Sequence, residues 1–139
     1  MRGRAVSMRK VFAQHPWAVG LLESRRDMGP AALRYCNSVL GVLRRAGFST
    51  KTAMRAFSIL DSYAYGYSIQ EKSLAPRPPT EAARETEQLL RELPTDEYPY
   101  LTETATHVAT SGFDYTKEFE IGLDLLLDAL ETWRGPEVT

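Results

Sequence analysis

Two histidines, one cysteine and a run of carboxylates near the C-terminus are the residues of this chain with the chemistry for an active site. His15 precedes Pro16, where packing or capping at a helix junction is its ordinary role. His107 lies in a helical stretch beside threonines and has Glu103 four residues before it. That pair is the only arrangement with metal-ligand spacing, and two ligands without a third do not make a site. A surface i,i+4 pair accounts for it more simply. Cys36 falls on the apolar face of its helix and reads as a small buried hydrophobe. Asp114, Glu118, Glu120, Asp124, Asp128 and Glu131 fall mostly on the solvated side of the last helix. No glycine-rich phosphate loop, nucleophile elbow or zinc-protease motif occurs. The expectation is a protein that is not an enzyme and carries no metal and no cofactor.

Binding chemistry is better represented. Asn37, Asp61, Ser62, Tyr63, Tyr65 and Tyr67 stand among apolar neighbours. Leaving a buried polar group unpaired costs about 1–3 kcal/mol, so each has an internal partner or faces a cavity. Trp17, Met28, Phe57, Tyr63 and Tyr67 supply the apolar walls that small-molecule pockets favour. Together with Leu33, Asn37, Leu40 and His107, placed by helix face, they form the candidate ligand pocket. An ordinary aromatic core would have the same composition.

These residues must be positioned by one domain of 139 residues, long enough for a real core. The net charge is −1. A domain that grips nucleic acid by its phosphates carries a basic excess, which this chain lacks. Its one dense basic run (Arg2, Arg4, Arg9, Lys10) reads as one end of a helix. A single cysteine permits no intrachain disulfide and suits a reducing compartment. No apolar run approaches the roughly 18 residues that span a membrane, and the N-terminus has no apolar signal region. A cytoplasmic protein without membrane contact is expected.

Periodicity and punctuation predict an all-α fold of about seven helices. Residues 4–14 form the first, interrupted at His15-Pro16-Trp17 because a residue before proline is pushed out of the helical region. A short helix follows over 17–24. Gly29-Pro30 opens the next, 31–46, with Arg44 and Arg45 in its last turn, where cations complement the helix dipole. Gly47 provides a left-handed stop and Ser49 a cap for a long helix over 50–74. Ala53, Ala56, Phe57, Leu60, Tyr63, Ala64 and Tyr67 are its core stripe. Pro76, Pro78 and Pro79 make a stiff linker. Thr80 caps a polar helix over 81–93, and another spans 96–111.

The last helix, 113–134, is the most apolar. Phe119, Leu123, Leu126, Leu130 and Trp133 are spaced 4, 3, 4, 3, a seam for helices lying along each other. Ile121, Leu125 and Leu127 widen the apolar surface beyond one stripe, which calls for two partners. Mid-helix glycine costs about 1 kcal/mol relative to alanine, so Gly122 has a packing reason. Phe119, Gly122, Leu123, Leu126, Leu130 and Trp133 are candidates for a dimer interface, to be divided between that interface and the domain's own core.

In order, His15-Pro16-Trp17, Gly29-Pro30-Ala31-Ala32-Leu33-Arg34, Arg45-Ala46-Gly47-Phe48, Tyr63-x-x-Gly66 and the run from Phe119 through Gly122-Leu123-Asp124 to Glu131 resemble the C-terminal regulatory domain of the tetracycline-repressor (TetR) family of bacterial transcription factors. The resemblance covers nearly the whole chain. It implies an all-α regulatory domain that forms a homodimer by pairing its long middle helix and last helix with their copies in a four-helix bundle. It also implies a pocket for a small, often hydrophobic effector, whose binding shifts an N-terminal helix-turn-helix head and releases DNA. No such head is evident in these residues, so DNA is expected as a partner only through a domain outside this chain. A homodimeric interaction protein without DNA binding of its own is the alternative. The drug–magnesium site of the original tetracycline sensor has no matching motif here.

Overall fold

The computed structural model describes residues 1–19, 28–74 and 79–135. Among them run six bounded helices: α1 (Arg2–Gln14), α2 (Pro30–Arg45), α3 (Thr50–Leu74), α4 (Pro79–Glu92), α5 (Pro99–Ser111) and α6 (Tyr115–Glu131). Residues 17–19 are also helical; the rest of the helix expected over 17–24, and Pro76 and Pro78 of the expected linker, lie outside the described residues. A single isolated β-bridge, Phe48 with Arg134, is the β pairing among the described residues. The fold is all-α.

The helix ends follow local chemistry. Gly29 precedes Pro30, whose missing N–H costs nothing in a first turn. Gly47 takes φ +97° and turns the chain out of α2. Ser49 Oγ then accepts from Thr52 N at 3.1 Å, capping α3. Three expected boundaries move. Pro79, expected in the linker, opens α4, where a first-turn proline is tolerated, and Thr80 stands within that helix rather than capping it. The helix expected from residue 96 begins at Pro99, because Tyr98, held before a proline, lies outside the helical region at φ −126° and ψ 58°. The last helix is shorter than 113–134. Asp114 Oδ1 accepts from Thr116 N at 2.9 Å and from Lys117 N at 3.2 Å, which starts α6 at Tyr115.

α3 is the element on which α1, α2 and α6 all pack. Its inner stripe, Ala53, Ala56, Leu60 and Ala64, is fully buried. Three of those four are alanines, small enough to let neighbouring backbones come close. Ala5 of α1, Val39 and Leu43 of α2, and Phe119, Leu123 and Leu130 of α6 complete the core. α1 also packs on α6, while α4 and α5 pair with each other as a hairpin. The C-terminal end of α6 is laced to the α2–α3 turn: Gly135 N donates to Gly47 O at 3.2 Å, and Arg134 lies over the Phe48 ring.

The basic start of the chain is used inside the fold. Arg2 pairs with Asp124, Arg4 with Asp61, and Arg9 with Glu71. Arg4 Nε also donates to the Tyr35 hydroxyl at 2.6 Å, and its guanidinium lies over the Phe57 ring. Asp61, polar on an otherwise apolar stretch, is therefore explained by a partner within the chain. Net charge could not reveal this, because each pair cancels.

Candidate functional site

Two tyrosines one turn apart on α3 reach across to the α6 backbone. Tyr63 donates from its hydroxyl to Phe119 O at 3.0 Å, and Tyr67 donates to Tyr115 O at 2.7 Å. Both rings surround Phe119: Tyr63 stacks on it at 5.2 Å between centroids and Tyr67 meets it edge-on at 5.1 Å. This aromatic cluster holds α3 and α6 at a fixed spacing and leaves a hollow at its outer end.

The hollow is a cavity of about 280 Å³, lined among the described residues by Tyr67, Gln70, Glu71, Val108, Phe113 and Tyr115. It lies where the C-terminal half of α3, the end of α5 and the start of α6 converge. Its volume lies just below the roughly 300–1,000 Å³ of sites that hold drug-sized ligands. Phe113 and Tyr115 meet edge to face at 4.8 Å and make one wall. Gly112, at φ +74°, makes the turn from α5 that brings Phe113 to the cavity mouth.

One lining residue, Glu71, is held in an ion pair. Arg9 Nε donates to Glu71 Oε2 at 2.9 Å and Arg9 Nη2 to Glu71 Oε1 at 2.5 Å, a two-point contact between α1 and α3. Burial pushes the Tyr67 hydroxyl up to about 12, with Tyr63, Glu71 and Glu118 adding to the effect and Arg9 opposing it. Tyr63 is raised as well, chiefly by burial. Neither phenol is available for acid–base work near neutrality. No group of three or more metal-ligating side chains occurs among the described residues. His107 and Glu103, the pair with ligand spacing, are both exposed.

The expected pocket residues are dispersed. Tyr67 lines the cavity, and Tyr63 supports it from behind. Leu40 and Phe57 pack against the core. Trp17 is 66% exposed and stands edge to face with His15, and Met28, Leu33 and Asn37 are exposed. His107 is exposed one residue before Val108, which does line the cavity. Sequence reasoning missed Gln70, Glu71, Val108, Phe113 and Tyr115. Tyr67, Gln70 and Glu71 share the i, i+3, i+4 spacing of one helix face, a signal that was present. Phe113 was absorbed into the last helix, and its place in a turn conceals it.

The expected interface residues turn inward. Phe119, Leu123 and Leu130 are buried in the chain's own core, and Leu126 and Trp133 pack against it. Gly122 meets Tyr63, which takes the space a side chain would occupy. The large apolar side chains that α6 leaves outside are Ile121 and Leu125, the latter 67% exposed, and α3 leaves Met54 and Ile69.

The class defined by this geometry is a helical bundle with a small aromatic cavity between its long central helix and its last helices. Over residues 1–134 the chain matches the family described as the tetracyclin repressor-like C-terminal domain, and it belongs to that family. It is 25% identical over 128 residues to the HTH-type transcriptional repressor DrrR1 of Streptomyces coeruleorubidus, covering 87% of this chain and 46% of that protein. It is 28% identical over 131 residues to an HTH-type transcriptional regulator of Saccharopolyspora erythraea, covering 94% of this chain and 53% of that one. The chain thus spans about half the length of these relatives. Ligand-free ActR of Streptomyces coelicolor shares the fold, with a TM-score of 0.70 at 20% identity over 95% of this chain and 62% of that one. ActR in complex with actinorhodin superposes at 0.71, with 21% identity over 94% of this chain and 61% of that one.

Proposed function

We propose that this chain is the effector-binding and dimerisation part of a TetR-like bacterial transcriptional regulator acting in the cytoplasm. The observation that carries the reading is the aromatic cavity between α3, α5 and α6, lined by Tyr67, Val108, Phe113 and Tyr115. The names of its relatives as HTH-type regulators support it, as do the ligand complexes of ActR. A small, largely apolar effector occupies the cavity, where it touches three helices at once. Its binding favours one arrangement of those helices over another by its differential affinity for the two. That shift is read by a helix-turn-helix domain outside this chain, which contacts the DNA.

A second copy of the chain covers the outer apolar surface of α3 and α6, including Met54, Ile121 and Leu125, to give a two-fold bundle. Among the described residues, no helix is long and apolar enough to cross a membrane.

Titration with Nile red, an apolar fluorescent probe, tests the cavity. Saturable binding is expected for the parent chain, with loss of binding in Val108→Trp, whose indole fills the space. Absence of saturable binding, or binding indifferent to Val108→Trp, overturns the reading.

A further inference from the structure

The cavity wall is not uniformly apolar. Glu71 lines it, and its side chain is 18% exposed. Arg9 holds this carboxylate at two points and is not itself a lining residue. The guanidinium is held there by Thr116 Oγ1, to which Nη2 donates at 3.1 Å, and by the faces of Tyr67 and Phe119. An ionised carboxylate offers about four lone-pair sites. Arg9 takes one on each oxygen, and among the described residues no other hydrogen bond reaches Glu71. Gln70 contributes a neutral amide beside it.

The charge around the cavity is unbalanced. Among the described lining residues Glu71 is the one charged side chain. An anion placed in this small, aromatic-walled space meets the Glu71 carboxylate, with no cation among the described lining residues. A ligand N–H or O–H meets an ionised acceptor, and charge-assisted hydrogen bonds are about twice as strong as neutral ones. Discrimination of this kind comes as much from the repelled ligand as from the favoured one.

We infer that Glu71 determines the specificity of this cavity, selecting flat apolar ligands that carry a cationic nitrogen or an N–H or O–H donor over ligands that carry an anion. The inference rests on the cavity being the effector site. Arg9 is the positioning residue: it holds the carboxylate at two points and leaves lone pairs that no other described residue takes.

The test uses two flat tricyclic fluorophores of similar size, proflavine as the cation and 9-anthroate as the anion. They are titrated against the whole chain, Val108→Trp, Glu71→Gln, and the double variant Arg9→Gln/Glu71→Gln. The double variant removes both charges, so that no guanidinium is left unpaired if Glu71→Gln alone fails to fold. Circular dichroism reports whether each variant is folded. Proflavine is expected to bind the parent at least about tenfold more tightly, the scale of one charge-assisted hydrogen bond. The preference is expected to collapse towards unity in the folded Glu71→Gln or double variant. Equal binding of the two probes to the parent, or a preference that survives loss of the carboxylate, overturns the role of Glu71 and leaves the cavity reading standing. Failure of both probes to bind, or binding untouched by Val108→Trp, overturns the effector site and this inference with it.

Discussion

Gly122 on α6 faces Tyr63 on α3 so closely that a methyl group added to the glycine would run into the tyrosine hydroxyl and lie 3.0 Å from its Cζ. The same hydroxyl donates to Phe119 O, three residues earlier on α6. The glycine is therefore the space that lets α3 hydrogen-bond to the backbone of α6. Its packing reason lies within the chain.

Gly122→Ala is expected to destabilise the fold by a net of about 1–2 kcal/mol, from an overpacking cost of about 2–3 kcal/mol at a filled contact. This outweighs the gain of about 1 kcal/mol that alanine brings to a helix interior. Urea unfolding followed by circular dichroism measures it. Tyr63→Phe in the same chain removes the closest atom and should recover part of the loss. A midpoint for Gly122→Ala raised by the full helical gain would show that the contact has no energetic weight.

The Arg9–Glu71 pair invites a double-mutant cycle. The two side chains are 14% and 18% exposed, so removing one partner strands the other in a poorly solvated place. Arg9→Met alone is expected to cost about 3 kcal/mol, whereas Arg9→Met with Glu71→Leu should cost less than the sum of the single changes. Additive losses would mean that the two charges do not depend on each other.

Stability should fall at high pH. The Tyr67 hydroxyl titrates at about 12 in the folded chain against an ordinary value of 10.0. A group whose proton is held more tightly in the folded state contributes stability that is fully present below the unfolded value. That contribution is lost as pH rises through the folded one. Between pH 10 and 12 the melting temperature of the parent should therefore decline. Tyr67→Phe removes the hydrogen bond to Tyr115 O, worth about 1 kcal/mol. It should start lower and decline less steeply, with Tyr63 responsible for the remainder. Parallel curves for parent and variant would refute the assignment.

For the proposed two-fold association, Leu125→Glu is the cleanest probe, because Leu125 is exposed and takes no part in the core cluster. Light scattering after size exclusion should give the dimer mass for the parent and the monomer mass for the variant at micromolar concentration, with the helical spectrum unchanged. Leu126→Glu is less informative, since Leu126 packs against the core and its loss also disturbs the fold. A monomeric parent, or a variant that stays dimeric, would remove the proposed interface.

Much of the architecture was legible in the residues themselves. Helical periodicity over 50–74, the Ser49 cap and the Gly47 stop are local features, decided by neighbours within one turn, and α3 has the bounds they predict. The ordered motifs from His15-Pro16-Trp17 to the last helix were sufficient to indicate the family. The boundaries at Pro79 and Pro99 were less legible, because a proline both ends one helix and suits the first turn of the next. The cavity lay further out of reach. Tyr67 and Glu71 are one turn apart on α3, but Val108, Phe113 and Tyr115 join them only when the end of α5 and the start of α6 meet α3 in the folded chain. The same limit applied to the last helix. Its composition established that more than one face was apolar, but a 3–4 spacing is identical whether it faces the chain's own core or another molecule. Contact with α3 decided the matter, turning Phe119, Leu123 and Leu130 inward and leaving Ile121 and Leu125 outside. The sequence by itself determined which segments are helical and that the last one is too apolar for a single buried face. Only the tertiary structure decided which stripe is core and which residues enclose the cavity, because those contacts join residues far apart in the chain and no local periodicity records them.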